Sequence, residues 1–129
     1  MGCQEPAPKG VERGAELFAT CAACHGADGL GNEEYKAPAI AGMEQWYLER
    51  QLKNFKTGVR GLHPDDLEGM RMHPMARHLK SDDDIESMAI YVASMDRAKP
   101  VATITDGNAE KGKASYAVCV ACHQADGSG

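Results

Sequence analysis

The pattern Cys-x-x-Cys-His occurs twice in this chain, as Cys21-Ala-Ala-Cys24-His25 and Cys119-Val-Ala-Cys122-His123, and it constrains the fold more than any other feature. It uses four of the five cysteines and leaves Cys3 alone. A disulfide framework would spread its cysteines without a histidine after each pair. A structural zinc site would pair two C-x-x-C units or add a spaced His pair. A redox-active C-x-x-C with a chance histidine belongs in a βαβ context, and this chain reads as helical throughout. The pattern does match the attachment signature of c-type haem. Thiols three positions apart on a helix share nearly one face, so both can form thioethers to the vinyl groups of one porphyrin. The adjacent histidine then reaches the iron from the proximal side.

The motifs lie within a longer repeat. A shift of 98 residues carries Cys21 onto Cys119 and aligns Gly14-Ala-Glu-Leu-Phe-Ala-Thr with Gly112-Lys-Ala-Ser-Tyr-Ala-Val. Such self-similarity reads as tandem duplication of one domain. Only six residues follow His123, so the second unit is expected to be incomplete, without a distal methionine, wall helix or closing helix of its own. The spacing divides the chain into a tether (1–9), a first domain (10–96), a linker (97–106) and the start of a second unit (107–129).

Three helices are predicted in the first domain. Val11 to about Ala23 has Leu17, Phe18 and Cys21 at helical spacing, with Gly26 and Asp28-Gly29 as a stop. Glu44 to Thr57 places Tyr47, Leu48, Gln51, Leu52 and Phe55 on one face before Gly58. Ser81 to Met95 opens on an N-cap serine with Asp82, Asp83 and Asp84 in the first turn, where carboxylates favour the helix dipole. The segments 29–42 and 60–78, rich in Gly, Pro and polar residues, read as loops. A further helix is predicted from about Asn108 to Ala121, and nothing calls for a sheet.

Aromatic residues make up only 5% of the chain, with one Trp, so a small core here has few large side chains; a bound haem would supply the missing apolar volume. Net charge is −5 with no Lys/Arg run, which argues against nucleic acid and anionic lipid as partners. No apolar run approaches the roughly 18 residues of a membrane-spanning helix.

A six-coordinate electron carrier needs a second axial ligand, and a Met thioether raises the potential relative to a second histidine. Candidates are Met70, Met72 and Met75, in a polar, Pro-containing segment where core filling explains them poorly; Met43, Met88 and Met95 read as core filler. Three further histidines, His63, His73 and His78, lie among Arg71, Arg77 and Asp65 and read as solvated side chains rather than ligands.

With these landmarks in place the chain resembles a class I cytochrome c, most closely the small periplasmic tandem dihaem cytochromes c. The matching stretches are Cys21-Ala-Ala-Cys24-His25-Gly26-Ala-Asp28-Gly29, Ala37-Pro38-Ala-Ile-Ala-Gly42, Tyr47 to Arg60, and Met72-His-Pro-Met75-Ala-Arg-His-Leu79 leading into Ser81-Asp-Asp-Asp-Ile85. The resemblance implies an all-α fold of three main helices around a covalent haem c, with His25 and Met72 as axial ligands and Met75 as second choice. It implies that the Pro38 carbonyl oxygen receives the Nδ1–H of His25, and that Gly14 and Phe18 pack against Tyr91 where the terminal helices cross. Tyr47, Arg60 and Trp46 are candidates for the haem propionates, or Trp46 and Tyr47 build only the wall. A second haem c at Cys119, Cys122 and His123, with His123 on the iron, is implied in the same way.

The function this implies is one-electron transfer between redox protein partners, such as a membrane-bound oxidase, reductase or reaction centre, and not enzymatic turnover. The alternatives are a haem subunit of a larger oxidoreductase and a dihaem peroxidase; the latter needs an open iron site with distal acid/base groups, which the methionine segment opposes. Haem attachment of this kind implies export to the periplasm or the outer face of the cytoplasmic membrane. Cys3, followed by the Pro-containing tether Gln4 to Gly10, is either incidental or the remnant of a lipoprotein cleavage site whose acyl chains would hold the domain at the membrane.

Overall fold

The computed structural model describes residues 9–97, residue 99 and residues 104–128. Cys3 and part of the 97–106 linker lie outside the described residues. The chain divides into two compact units between residues 99 and 100.

The first unit holds four helices: α1 (Val11–His25), α2 (Gln45–Thr57), α3 (Leu67–Ala76) and α4 (Asp82–Ala93). Among the described residues there is no strand, only an isolated bridge between Asn32 and Ala37. α1 packs most extensively on α4, and α2 on both α3 and α4. The core is Phe18, Leu48, Ile85, Met88, Ala89 and Val92, the apolar stripes that period 3.6 draws on α1, α2 and α4, joined by Leu79 from the connection between α3 and α4. The α1–α4 crossing is as the resemblance implied. The Phe18 and Tyr91 rings meet with centroids 5.5 Å apart, and a Cβ at Gly14 would overlap the Ser87 carbonyl oxygen and Tyr91 Cβ. Glycine lets the two backbones touch there.

Polar groups fasten the same crossing. Ser81 caps α4, its side chain accepting from Asp84 N–H at 3.1 Å. The buried Asp84 carboxylate accepts from Arg13 Nε at 3.0 Å and from the Lys80 backbone N–H at 2.9 Å. Burial pushes the Asp84 carboxyl up, but these hydrogen bonds and the Arg13 charge outweigh it and hold the group below its usual value.

Two helix expectations are corrected. α1 runs through His25 rather than ending near Ala23, because Gly26, at φ +80°, is the first residue to leave the helix. The segment 60–78 is not all loop: α3 occupies most of it. Its sequence hides the helix, since Gly69 and Pro74 lower propensity and few apolar residues recur at helical spacing. What starts it is Asp66, whose side chain accepts from Gly69 N–H at 2.9 Å.

In the second unit the expected continuous helix is two, α5 (Ala109–Tyr116) and α6 (Val120–His123). No residue of either is buried, so no tertiary packing holds one unbroken helix together. Tyr116 instead folds its hydroxyl back to donate to the Gln124 carbonyl at 2.9 Å. The repeat persists in the backbone: Gln124 ends α6 at φ 62°, ψ 168°, as Gly26 ends α1 at φ 80°, ψ 153°.

Candidate cofactor cavity

The last turn of α1 places Cys21, Cys24 and His25 side by side on the wall of a cavity of about 430 Å³, within the roughly 300–1,000 Å³ of sites that enclose sizeable small molecules. The imidazole of His25 is 6% exposed, and its Nδ1 lies 2.9 Å from the Pro38 carbonyl oxygen. A carbonyl only accepts, so Nδ1 carries a proton and Nε2 is the ring nitrogen left for a metal. Pro38 is presented by the 29–42 segment, which is anchored by Gly31 N–H to the His25 carbonyl at 2.8 Å and Ile40 N–H to the Gly29 carbonyl at 2.8 Å. Burial, and then the neighbouring Cys24, push the Cys21 thiol above its ordinary value.

α3 supplies another wall, and both Met72 and Met75 line it. Both are half-buried, and three positions apart on a helix they share a face. Met70 is exposed and does not line the cavity. Met88 and Met43, expected as core filler, line the cavity as well; the core and the cavity share a wall. Apolar side chains of α2 and α4, among them Leu48, Leu52, Phe55 and Val92, complete the enclosure.

Of the residues expected at a polar edge, Tyr47 and Arg60 line the cavity and Trp46 does not. Trp46 is 60% exposed, edge-on to Tyr47 with Arg50 over its ring. The Arg60 guanidinium lies 4.3 Å above the Phe55 ring and donates to Gln51 Oε1 at 2.7 Å. Lys36 and Arg71 also line the cavity, and Arg71 donates to the Tyr35 carbonyl at 3.0 Å. Sequence reading missed both. Arg71 would have been found had α3 been read as a helix, since it then falls one turn before Met75 on the same face.

The three loop histidines differ from one another. His63 and His78 are exposed, as expected. His73 is not solvated: it is half-buried and bonded through Nδ1 to the Phe55 carbonyl. None of the three lines the cavity. In the second unit Cys119 is half-buried, Cys122 and His123 are exposed.

The donor set fits haem c. Two thiols and a buried, oriented imidazole occupy one helix turn, thioethers stand on another wall, and the hollow between is mostly apolar with cations and a phenol among its lining residues.

Comparison with known proteins agrees. The cytochrome c family model matches residues 11–96. The Cbb3-type cytochrome c oxidase subunit CcoP of Rubrivivax gelatinosus is 32% identical over 123 residues, 95% of this chain and 36% of that protein. Cytochrome c-554(548) of Halomonas halodenitrificans is 36% identical over 83 residues, 64% of this chain and 93% of that protein. Among solved structures, thiosulfate dehydrogenase TsdBA of Marichromatium purpuratum matches with a TM-score of 0.68 at 31% identity, over 88% of this chain and 27% of that one. This chain therefore spans roughly a third of the length of the two larger proteins. The chain belongs to the cytochrome c family, with covalently bound haem c as its cofactor.

Proposed function

We propose that the chain is a one-electron carrier in which Cys21 and Cys24 hold haem c as thioethers, His25 is the proximal ligand and Met72 the distal one. The observation that carries this reading is the single cavity lined both by the Cys21 to His25 turn and by the Met72 turn of α3. Bound there, haem c supplies an iron that accepts and releases one electron.

The chain's own residues do the rest. The Pro38 carbonyl holds the His25 ring in one tautomer and raises its basicity. A thioether from Met72 favours the reduced state relative to a second histidine. Two protein ligands retained in both states would keep rearrangement small and deny an open position to peroxide, which disfavours peroxidase chemistry. Tyr47 and Arg60, which line the cavity, would pair with the haem propionates, and the apolar walls would exclude water. Residues 10–96 form the haem domain, 97–106 a linker, and 107–129 the start of a second cytochrome c unit able to attach haem at Cys119 and Cys122, with His123 as ligand.

A second reading, a haem-bearing portion of a larger oxidoreductase, is favoured by the names and lengths of the relatives: an oxidase subunit and a thiosulfate dehydrogenase, of which the matched region is 36% and 27%. The chemistry is the same and only the partner differs. In either case the domain works outside the cytoplasm among redox proteins, and an acylated Cys3 would confine it to the membrane surface. Fractionation of cells carrying the native gene tests the anchor: an unmodified Cys3 in a soluble periplasmic protein excludes it.

The ligand assignment is tested by Met72→Ala and Met75→Ala. Met72→Ala is expected to keep the haem attached, turn the iron high-spin and lower its potential. The assignment is wrong if Met75→Ala does this and Met72→Ala does not.

A further inference from the structure

α3 is a poor helix on its own account. It has ten residues, Pro74 within it and Gly69 near its start, and helices shorter than about 12–15 residues are marginal without tertiary support. Something outside α3 must therefore hold the turn that carries Met72. Its N-terminus is held by Asp66, which accepts from Gly69 N–H at 2.9 Å and Gly61 N–H at 3.3 Å. That leaves the turn of Met72 itself.

His73, the next residue, is bonded through Nδ1 to the Phe55 carbonyl oxygen at 2.6 Å, across 18 positions of sequence. Phe55 lies in the last turn of α2, where carbonyls lack helical partners; its other donor is Gly58 N–H, a longer contact at 3.3 Å. A carbonyl only accepts, so His73 donates. The α2–α3 connection packs closely against His73. A Cβ at Gly61 would come 3.1 Å from His73 Cβ while overlapping the Gly69 carbonyl oxygen, and one at Gly58 would overlap the Leu62 side chain while only touching the His73 ring. Both glycines also have positive φ, +80° and +81°, where other residues are strained.

Successive residues on a helix are about 100° apart in rotation. A bond that fixes His73 against the end of α2 therefore fixes the rotation of α3 about its axis, and with it the side of the helix that carries Met72 and Met75 to the cavity. We infer that His73 is a positioning residue for the distal ligand: its Nδ1–H bond to the Phe55 carbonyl locks α3 with Met72 turned into the cavity. This rests on the assignment of Met72 as that ligand. Loss of the donor leaves a half-buried carbonyl short of its stronger partner and lets α3 rock, so that Met72 leaves the iron more often.

The experiment uses the haem-loaded protein in its ferrous form and carbon monoxide as probe. The rate at which carbon monoxide enters is proportional to the fraction of time the distal thioether is off the iron. His73→Leu, which removes the donor at similar volume, is expected to raise that rate about tenfold, the equivalent of ~1.4 kcal/mol, the net worth of one hydrogen bond. It should also weaken the far-red charge-transfer band of the ferric thioether complex. His73→Asn, whose amide can donate from nearly the position of Nδ1, is expected to return the rate towards wild type. An unchanged rate in His73→Leu overturns the inference, and so does a rate in His73→Asn as high as in His73→Leu. Should His73→Leu give no holoprotein, His73→Asn decides alone: a rate within about twofold of wild type supports the inference and a tenfold rise overturns it. Met72→Ala separates the two levels. If it leaves the charge-transfer band intact, the ligand assignment fails; if it abolishes the band while His73→Leu does nothing, only the positioning role fails.

Discussion

Gly14→Ala is the sharpest test of the α1–α4 crossing. The added Cβ would overlap the Ser87 carbonyl oxygen and Tyr91 Cβ, with the Ser87 carbonyl carbon 3.0 Å away. Two of these three atoms belong to the α4 backbone, so no rotamer change relieves the contact. Ordinary carbon–oxygen approaches are about 3.3 Å or more, so the helices must part by roughly an ångström. A gap of that size forfeits about a quarter to a half of each dispersion well it opens, and the contacts at stake are those of Phe18 with the buried face of α4. Overpacking costs about 1–3 kcal/mol. The upper end applies because the obstacle is backbone. Alanine returns up to ~1 kcal/mol of helix propensity, leaving a net loss of about 2 kcal/mol. In urea, at a slope of about 1–3 kcal/mol/M, the midpoint of the haem-loaded protein should fall by roughly 1 M. Gly112 occupies the same place in the repeat, but a Cβ there meets nothing within 4 Å, so Gly112→Ala should cost nothing. An unchanged or raised midpoint in Gly14→Ala would refute the reasoning, because propensity alone would then describe both sites.

Asp84 makes stability depend on pH with a definite sign. Its folded value is held below the unfolded one of ~3.9, so its contribution is present above about pH 4 and is lost as pH falls through the lowered value. Asp84→Asn should therefore melt lower than wild type at pH 7 and lose less on acidification to pH 3, as thermal unfolding at the two pH values would show. Removing both attachment thiols, Cys21→Ala with Cys24→Ala, should yield a chain without covalent haem that keeps part of its helical far-ultraviolet signal, loses near-ultraviolet structure and binds a hydrophobic dye. A cavity of about 430 Å³ walled by core residues leaves too much apolar surface unpacked for a rigid fold; a sharp two-state melt with no dye binding would contradict this.

The elements that could be read from the sequence are those whose order is local. α1, α2 and α4 each carry an apolar stripe at helical period and a recognisable terminus: Gly26, Gly58 in the left-handed region, and Ser81 as N-cap. The attachment motif is local too, so Cys21, Cys24 and His25 could be named together. The Pro38 contact could be named only through resemblance, because 13 positions separate Pro38 from the His25 ring that it meets, and no periodicity encodes such a meeting. α3 escaped because its stability is borrowed from Asp66, Gly61 and Phe55 across the α2–α3 connection. His73 was read as solvated for the same reason, since its partner is a backbone carbonyl and backbone carbonyls leave no trace in a sequence. The break between α5 and α6 was hidden by the opposite cause. The local pattern favours a helix throughout, and what is missing is the tertiary face that would have kept it whole.

The two sides of the cavity are consequently built to different standards of rigidity. The proximal side stands on a 15-residue helix whose Phe18 is 3% exposed and whose crossing with α4 admits no extra carbon at Gly14. The distal side stands on a ten-residue helix held by a capping carboxylate, one imidazole, the bond from Arg71 to the Tyr35 carbonyl and the burial of Gly69 and Ala76. Opening free energies in a protein follow packing and contact density, so among the four helices of the first unit α3 is expected to fluctuate first. For electron transfer this division is consistent with the chemistry at each wall. His25 shares a turn with the two attachment thiols, so its side of the cavity cannot drift without straining covalent bonds. Met72 has no such tether, and as the proposed distal ligand its hold on the iron would be only as good as the hold of α3 on its neighbours. Loss of the His73 bond should therefore alter ligand exchange while leaving haem attachment unchanged, whereas Gly14→Ala should lower stability while leaving ligand exchange nearly unchanged.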